Sequence, residues 1–265
     1  MNKIVLVGSK IFYHTIGRLS TGVNMTLKEG LTAGKVLDYI YENEPRGKTF
    51  IGRKIDKNYL NHVGWEAVRV RKRNIEILIK EAIKMAKKEK RKIKIVDIAC
   101  GYASYLFSVL KELNDTDISV YCYDIEPRWV KAGNDKAAAL KIKNIKFQQG
   151  DMLNEAFASK QLSDADIVIS SGFYDWLVED DTVIHSMKII KNAAAPGANF
   201  VLSYQMDHPC LDLAQYAFSS FTGDPLKMKM RSKSEMGKML EKAGVNLISE
   251  KSDKYEYYNT VLARC

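Results

Sequence analysis

Apolar residues recur at helical spacing through much of the first 90 residues, and the period changes at Ile93. Residues 1–8, MNKIVLVG, read as a short strand. From about Asn24 to Glu42, the residues Met25, Leu27, Leu31, Val36, Leu37 and Ile40 fall at helical intervals. That spacing predicts one or two short amphipathic helices. EPRGKTFIGRKID, 44–56, reads as a basic loop punctuated by Pro45, Gly47 and Gly52. Between Leu60 and Lys90 a long helix is predicted, with Trp65, Val68, Ile75, Leu78, Ile79, Ile83 and Met85 as its apolar positions.

Beyond Ile93, strand-like runs alternate with helical ones. Strands are predicted at 93–99, 119–125, 145–151, 165–172 and 198–205, with helices at 104–114, 127–142 and 180–194. A further helix at 232–244 leads to two closing strands, VNLISEK and YYNTVLAR. The β-α-β-α order predicts a doubly wound, mostly parallel seven-stranded α/β sheet. SDKYE is too short for a parallel crossover, so the last two strands pair as an antiparallel hairpin. The expected division is a helical N-terminal extension or lid over 1–90 and an α/β domain over 91–265.

Charge follows that division. The net charge of the 265 residues is +9. Residues 1–95 hold 22 Lys and Arg against 9 Asp and Glu, or +13, which leaves −4 for the remainder. A basic segment suits RNA, an anionic membrane surface, an acidic substrate or simply solvent. The four cysteines, Cys100, Cys122, Cys210 and Cys265, form no CxxC, and no Cys/His set has zinc spacing. Free thiols, no metal and a cytoplasmic location are expected. No apolar run approaches the roughly 20 residues of a spanning helix.

Chemistry concentrates at the strand ends. VDIACGYASYL, 96–106, is a strand, a turn and a helix start with one glycine, Gly101. The GxGxxG of a phosphate-binding loop is absent, and Asp97 would repel a phosphate. The same carboxylate suits a cationic ligand such as S-adenosylmethionine, with Gly101 admitting its methionine part. Ala99 and Ala103 are tolerable there if their φ is negative. At the second strand end Asp124 is placed to accept from ribose hydroxyls, or to cap the next helix, and Ile125 to flank adenine. Asp151 and Met152 at the third are placed for the adenine amino group and ring, and Ser170 at the fourth for the ribose–sulfonium region.

DIACGYASYL, YDIEP, QQGDM, ISSGFYDWL and the closing hairpin together resemble a class I, seven-stranded S-adenosylmethionine-dependent methyltransferase. LKEGLTAGKVLDYIYENEPRG, GWEAVRVRK, YQMDHP and KSEMGKMLEKAG extend the resemblance to a bacterial methyltransferase family sometimes fused to an α/β-hydrolase domain. It implies a Rossmann-like methyltransferase domain with S-adenosylmethionine as cofactor. SGFYDWL lacks the Asn/Asp-Pro-Pro-Tyr pattern for planar amines, so an adenine amino acceptor is not expected. Candidate catalytic groups are Tyr174 and His208, with Arg69 favoured over Arg71 for the methionine carboxylate. The aromatic segment 204–221 suits a small-molecule or lipid-like acceptor. RNA methylation through the basic N-terminal part, a non-catalytic regulatory role in binding the cofactor, and a homodimer stay open.

Overall fold

The computed structural model describes residues 2–265. Its chain divides into two compact units. One comprises the residues up to Val70 together with His208–Met228; the other comprises Arg71–Asp207 and Lys229–Cys265. The helical part expected over 1–90 is thus split between them, and a later segment joins the N-terminal helices.

The second unit is built on one seven-stranded sheet. Its strands are β1 (Ile93–Ile98), β2 (Ile118–Asp124), β3 (Ile145–Gln149), β4 (Ile167–Ser171), β5 (Asn199–Gln205), β6 (Asn246–Ser252) and β7 (Tyr258–Arg264). The order is β3-β2-β1-β4-β5-β7-β6, and β7 runs antiparallel to both its neighbours. This is the predicted sheet, hairpin included. Alternation along each strand sends successive side chains to opposite faces. On one face Ile93, Ile95, Val120, Cys122 and Ile169 pack with Ile75, Leu78, Ile79 and Ile83 of helix Val63–Ala86. On the other, Val96, Ile98, Val168 and Phe200 pack with helices Glu155–Leu162, Asp180–Ala193 and Lys233–Ala243.

The first unit holds helices Lys3–His14, Thr21–Glu29, Gly34–Glu42, Phe50–Leu60 and Leu211–Ala217. Two expectations fail here. The apolar start is a helix rather than a strand, capped by the Asn2 side chain, which accepts from Ile4 N. A short β-branched run cannot be told from a helix by its period alone. The basic loop 44–56 contains the first half of helix Phe50–Leu60, capped by Thr49, which accepts from Gly52 N at 2.9 Å. Gly52 reads as a breaker, yet glycine is needed there because a Cβ would collide with the Leu19 carbonyl oxygen. The returning segment is tied in by Leu31 N, which donates to Ser219 O at 2.9 Å, and by a contact of His14 Nε2 with Ala217 O at 3.0 Å.

Candidate functional site

The parallel strands end along one edge of the sheet, and the strand order reverses between β1 and β4. Open α/β sheets bind ligands at such a switch point. Asp97 pairs in register with Cys122, and Asp124 closes β2. Since Ile95 and Cys122 share a face, alternation sends the Asp97 and Asp124 side chains out on that same face.

Asp97 is fully buried. Its Oδ2 accepts from the Tyr105 hydroxyl at 2.7 Å, whereas its Oδ1 has no hydrogen-bond partner. Burial lifts its pKa well above the usual carboxylate range; the Tyr105 bond opposes this and the Asp124 charge adds to it. A buried acceptor left unpaired is uncommon, and this one stands at a strand end next to the turn. Asp124 is 4% exposed. Its Oδ2 accepts from Gly101 N at 2.8 Å and its Oδ1 from Glu126 N at 3.0 Å. Burial raises this carboxyl too, and the backbone donors pull it back. With Ile125 N also acting on the carboxylate, a lone pair is left for a ligand hydroxyl. The helix that follows is capped by the Glu126 side chain rather than by Asp124.

Three alternate residues of the turn are left-handed: Ala99 at φ 51°, Gly101 at φ 53° and Ala103 at φ 46°. The negative φ that would make the alanines free of strain is therefore not met. Cys100 N is tied to Tyr123 O at 3.0 Å, Gly101 N to Asp124, and Ala103 N to Cys100 O at 3.0 Å, and these bonds impose the curvature. An L-residue held there costs about 1 kcal/mol. Nothing lies within 4 Å of where a Gly101 Cβ would stand, so the loop is open above that residue. Ala99→Gly is expected to stabilise the protein by about 0.5 kcal/mol, the relieved strain exceeding the lost chain stiffness. Thermal unfolding checks this: the midpoint rises by about 1 °C, and a fall would show that the Ala99 methyl contacts outweigh the strain.

The other predicted residues separate. Ile125 is 59% exposed beside Asp124. Asp151 is exposed, and its Oδ1 accepts from Leu153 N at 2.9 Å. Met152 is buried in the core on the face opposite Asp97, with Val96 and Ile98. Ser170 follows Ile169 and so faces that opposite side; it is fully buried, close to the Tyr174 phenol. Tyr174 is itself fully buried, 3.4 Å from the Ser186 hydroxyl, with its pKa raised by burial. Burial seals this phenol from solvent and makes it less acidic, which disfavours proton exchange with an acceptor. Tyr174 anchors the loop after β4, whose carbonyls at Tyr174 and Leu177 accept from the buried Arg231 guanidinium.

Arg69 and His208 lie in the helical unit. Arg69 Nη1 donates to Leu60 O at 3.0 Å and Ile40 O at 3.5 Å, which binds three helices together. Arg71, the arginine not favoured, belongs to the sheet unit. It lies over the Tyr258 ring at 4.7 Å and acts on Asp175. Burial pushes the Asp175 carboxyl up to about 7, against Arg71, Gln205 N and Arg231. His208 Nδ1 accepts from Cys210 N at 3.1 Å. His62 Nε2 lies 3.9 Å from Cys210 Sγ. Sequence reading missed Tyr105, whose only signal is its place in the first turn after the Asp97 loop.

Comparison with known proteins places these features. A family model described as "Putative methyltransferase" matches residues 2–265. The chain is 30% identical over 250 residues to the uncharacterized protein YnbC of Escherichia coli (strain K12), a match covering 93% of this chain and 42% of that protein. It therefore spans less than half the length of that relative. Among solved structures, a "possible exported protein" from Bordetella parapertussis aligns with a TM-score of 0.68 at 17% identity, covering 91% of this chain and 82% of that one. A S-adenosylmethionine-dependent methyltransferase from Clostridium acetobutylicum ATCC 824 aligns with a TM-score of 0.55 at 14% identity, covering 78% and 98%. At such identities the two structures testify to the fold.

Proposed function

The chain belongs to this methyltransferase family, and from that premise we propose that it transfers a methyl group from S-adenosylmethionine to a small-molecule or lipid-like acceptor. The buried, unpaired Oδ1 of Asp97 carries the reading. A carboxylate with one oxygen unmatched, beside a loop open above Gly101, fits a cationic amino-acid tail and repels a pyrophosphate. The cofactor, when bound, supplies an electrophilic methyl on a sulfonium.

The residues of the sheet edge hold and orient. Asp97 takes the ammonium, and Asp124 accepts from the ribose hydroxyls while keeping Gly101 N. Ile125 flanks the adenine, and Asp151 accepts from its amino group once it turns from Leu153 N. Methyl transfer is an in-line displacement that depends on near-attack positioning more than on a strong base. The aromatic segment 204–221 supplies the apolar surface that favours a small or lipid-like acceptor.

Proton linkage gives the test. Burial favours the neutral form of Asp97 in the empty protein, and a cation favours the ionised form. The proton therefore competes with the cofactor, and affinity falls as pH falls below the raised pKa, by up to about tenfold per unit. Calorimetry across pH 5–8 should show S-adenosylmethionine binding with this slope and NADH not binding. Asp97→Asn should flatten the slope while lowering affinity. NADH binding as tightly would remove the cofactor assignment, and a slope unchanged in Asp97→Asn would remove Asp97 from the ammonium site. The same shift acts on folding with a definite sign. A carboxyl whose folded pKa is raised stabilises the fold in acid, and that stability declines as pH rises from the ordinary value toward the folded one.

A further inference from the structure

The first helix, Lys3–His14, buries none of its side chains completely. Leu6, Ser9 and Tyr13 are its half-covered residues. On the opposite face Ile4, Val7 and Ile11 are 79%, 38% and 59% exposed, at spacings that stack them in one row. Lys3, Lys10 and His14 line one edge of that row. The turn Ile16–Leu19 continues the surface with Ile16 and Leu19 exposed and Arg18 beside them. Gly52 packs on the Leu19 carbonyl, so the start of helix Phe50–Leu60 adjoins this turn, and there Phe50 is 83% and Ile51 59% exposed. Lys48, Arg53, Lys54 and Lys57 surround them, all exposed.

Within these two segments acids are nearly absent, and the exposed acid packed beside them is Asp212 of helix Leu211–Ala217. Residues 2–20 contain no Asp or Glu, and the one acid of residues 45–60, Asp56, is fully buried in hydrogen bonds. We infer that this face of the helical unit, with Ile4, Val7, Ile11, Phe50 and Ile51 ringed by lysines and arginines, docks on an anionic lipid bilayer. Large aliphatic and aromatic side chains ringed by cations match the acyl boundary and charged headgroups of such a membrane together. Charge decides between occupants. A two-fold contact with a second copy would set the cations of one face against those of the other. Nucleic acid would use the cations and leave the aliphatic row in water. The inference is independent of the cofactor assignment, because it concerns the helical unit alone.

The full chain should sediment with vesicles of phosphatidylglycerol and phosphatidylethanolamine at least about tenfold more strongly than with phosphatidylcholine vesicles, and less so as salt rises. Phe50→Ser with Ile51→Ser should lower that binding about tenfold at low salt. Arg53→Glu with Lys54→Glu should do the same. All four side chains are exposed, so circular dichroism and S-adenosylmethionine binding should be unchanged. Equal partition onto both vesicle types overturns the inference. So does self-association that Phe50→Ser abolishes, or RNA binding that persists in Phe50→Ser while vesicle binding is absent.

Discussion

Asp56→Ala is expected to destabilise the helical unit by about 3 kcal/mol, because it takes the carboxylate from four donors, of which Arg46 N keeps a second acceptor in the Tyr39 hydroxyl at 3.1 Å. Asp56 is fully buried. Its Oδ1 accepts from Ser20 Oγ at 2.6 Å and from Gly22 N at 2.8 Å. Its Oδ2 accepts from Arg46 N at 2.7 Å and from the Tyr39 hydroxyl. One carboxylate thus joins the N-terminal turn of helix Thr21–Glu29, the end of helix Gly34–Glu42 and the loop before helix Phe50–Leu60, and lies within the last. Each donor left buried and unmatched costs roughly 1 kcal/mol or more. Asp56→Asn keeps the volume and half the acceptors, and should cost about 2 kcal/mol. Amide exchange over residues 20–60 is the measurement that isolates this unit. Protection there should fall sharply in Asp56→Ala while that of β1, β4 and β5 holds. Protection equal to wild type over 20–60 would show that the donors find other partners.

The contrast between Asp56 and the sheet explains what a reading of the sequence could reach. Strands β1, β2, β4, β5 and β7 announce themselves as largely apolar runs between turn signals, β3 and β6 as more polar stretches, and the five residues SDKYE force the closing hairpin. Such signals are local, and the sheet obeys them. Asp56 gives only the weak signal of a lone acid in a basic stretch, since its partners at 20, 22, 39 and 46 come from other elements. The same non-locality hides residues 208–228, which join the helical unit through bonds such as Leu31 N to Ser219 O.

Within the site, the order of acids along the strand ends was legible, because each closes or nearly closes an apolar run. Side-chain direction was not. Alternation places Ser170 on the face opposite Asp97, and the turn after β3 carries Met152 to that same side; a shift of one residue in a strand end reverses such an assignment. The geometry of the turn at 99–103 is hidden for a related reason. Alanine normally avoids the left-handed region, so only the bonds to Tyr123 and Asp124 reveal that it is held there.

Asp124→Ala is expected to weaken S-adenosylmethionine binding about a hundredfold, close to 3 kcal/mol. Two losses combine. The ribose hydroxyls lose a charged acceptor, and the Gly101 amide loses the oxygen 2.8 Å away that fixes the left-handed turn. A cofactor analogue separates the two. S-adenosylhomocysteine and its 2′-deoxy form differ by one hydroxyl, so the loop contributes equally to both. Wild type should prefer the ribose form about tenfold, the worth of one charge-assisted hydrogen bond. Asp124→Ala should bind both weakly and alike. A variant that still prefers the ribose form would show that Asp124 acts through the turn alone, and the hydroxyl acceptor would then have to be sought elsewhere along the β2 edge. Equal affinity of wild type and Asp124→Ala for S-adenosylmethionine would remove Asp124 from both roles.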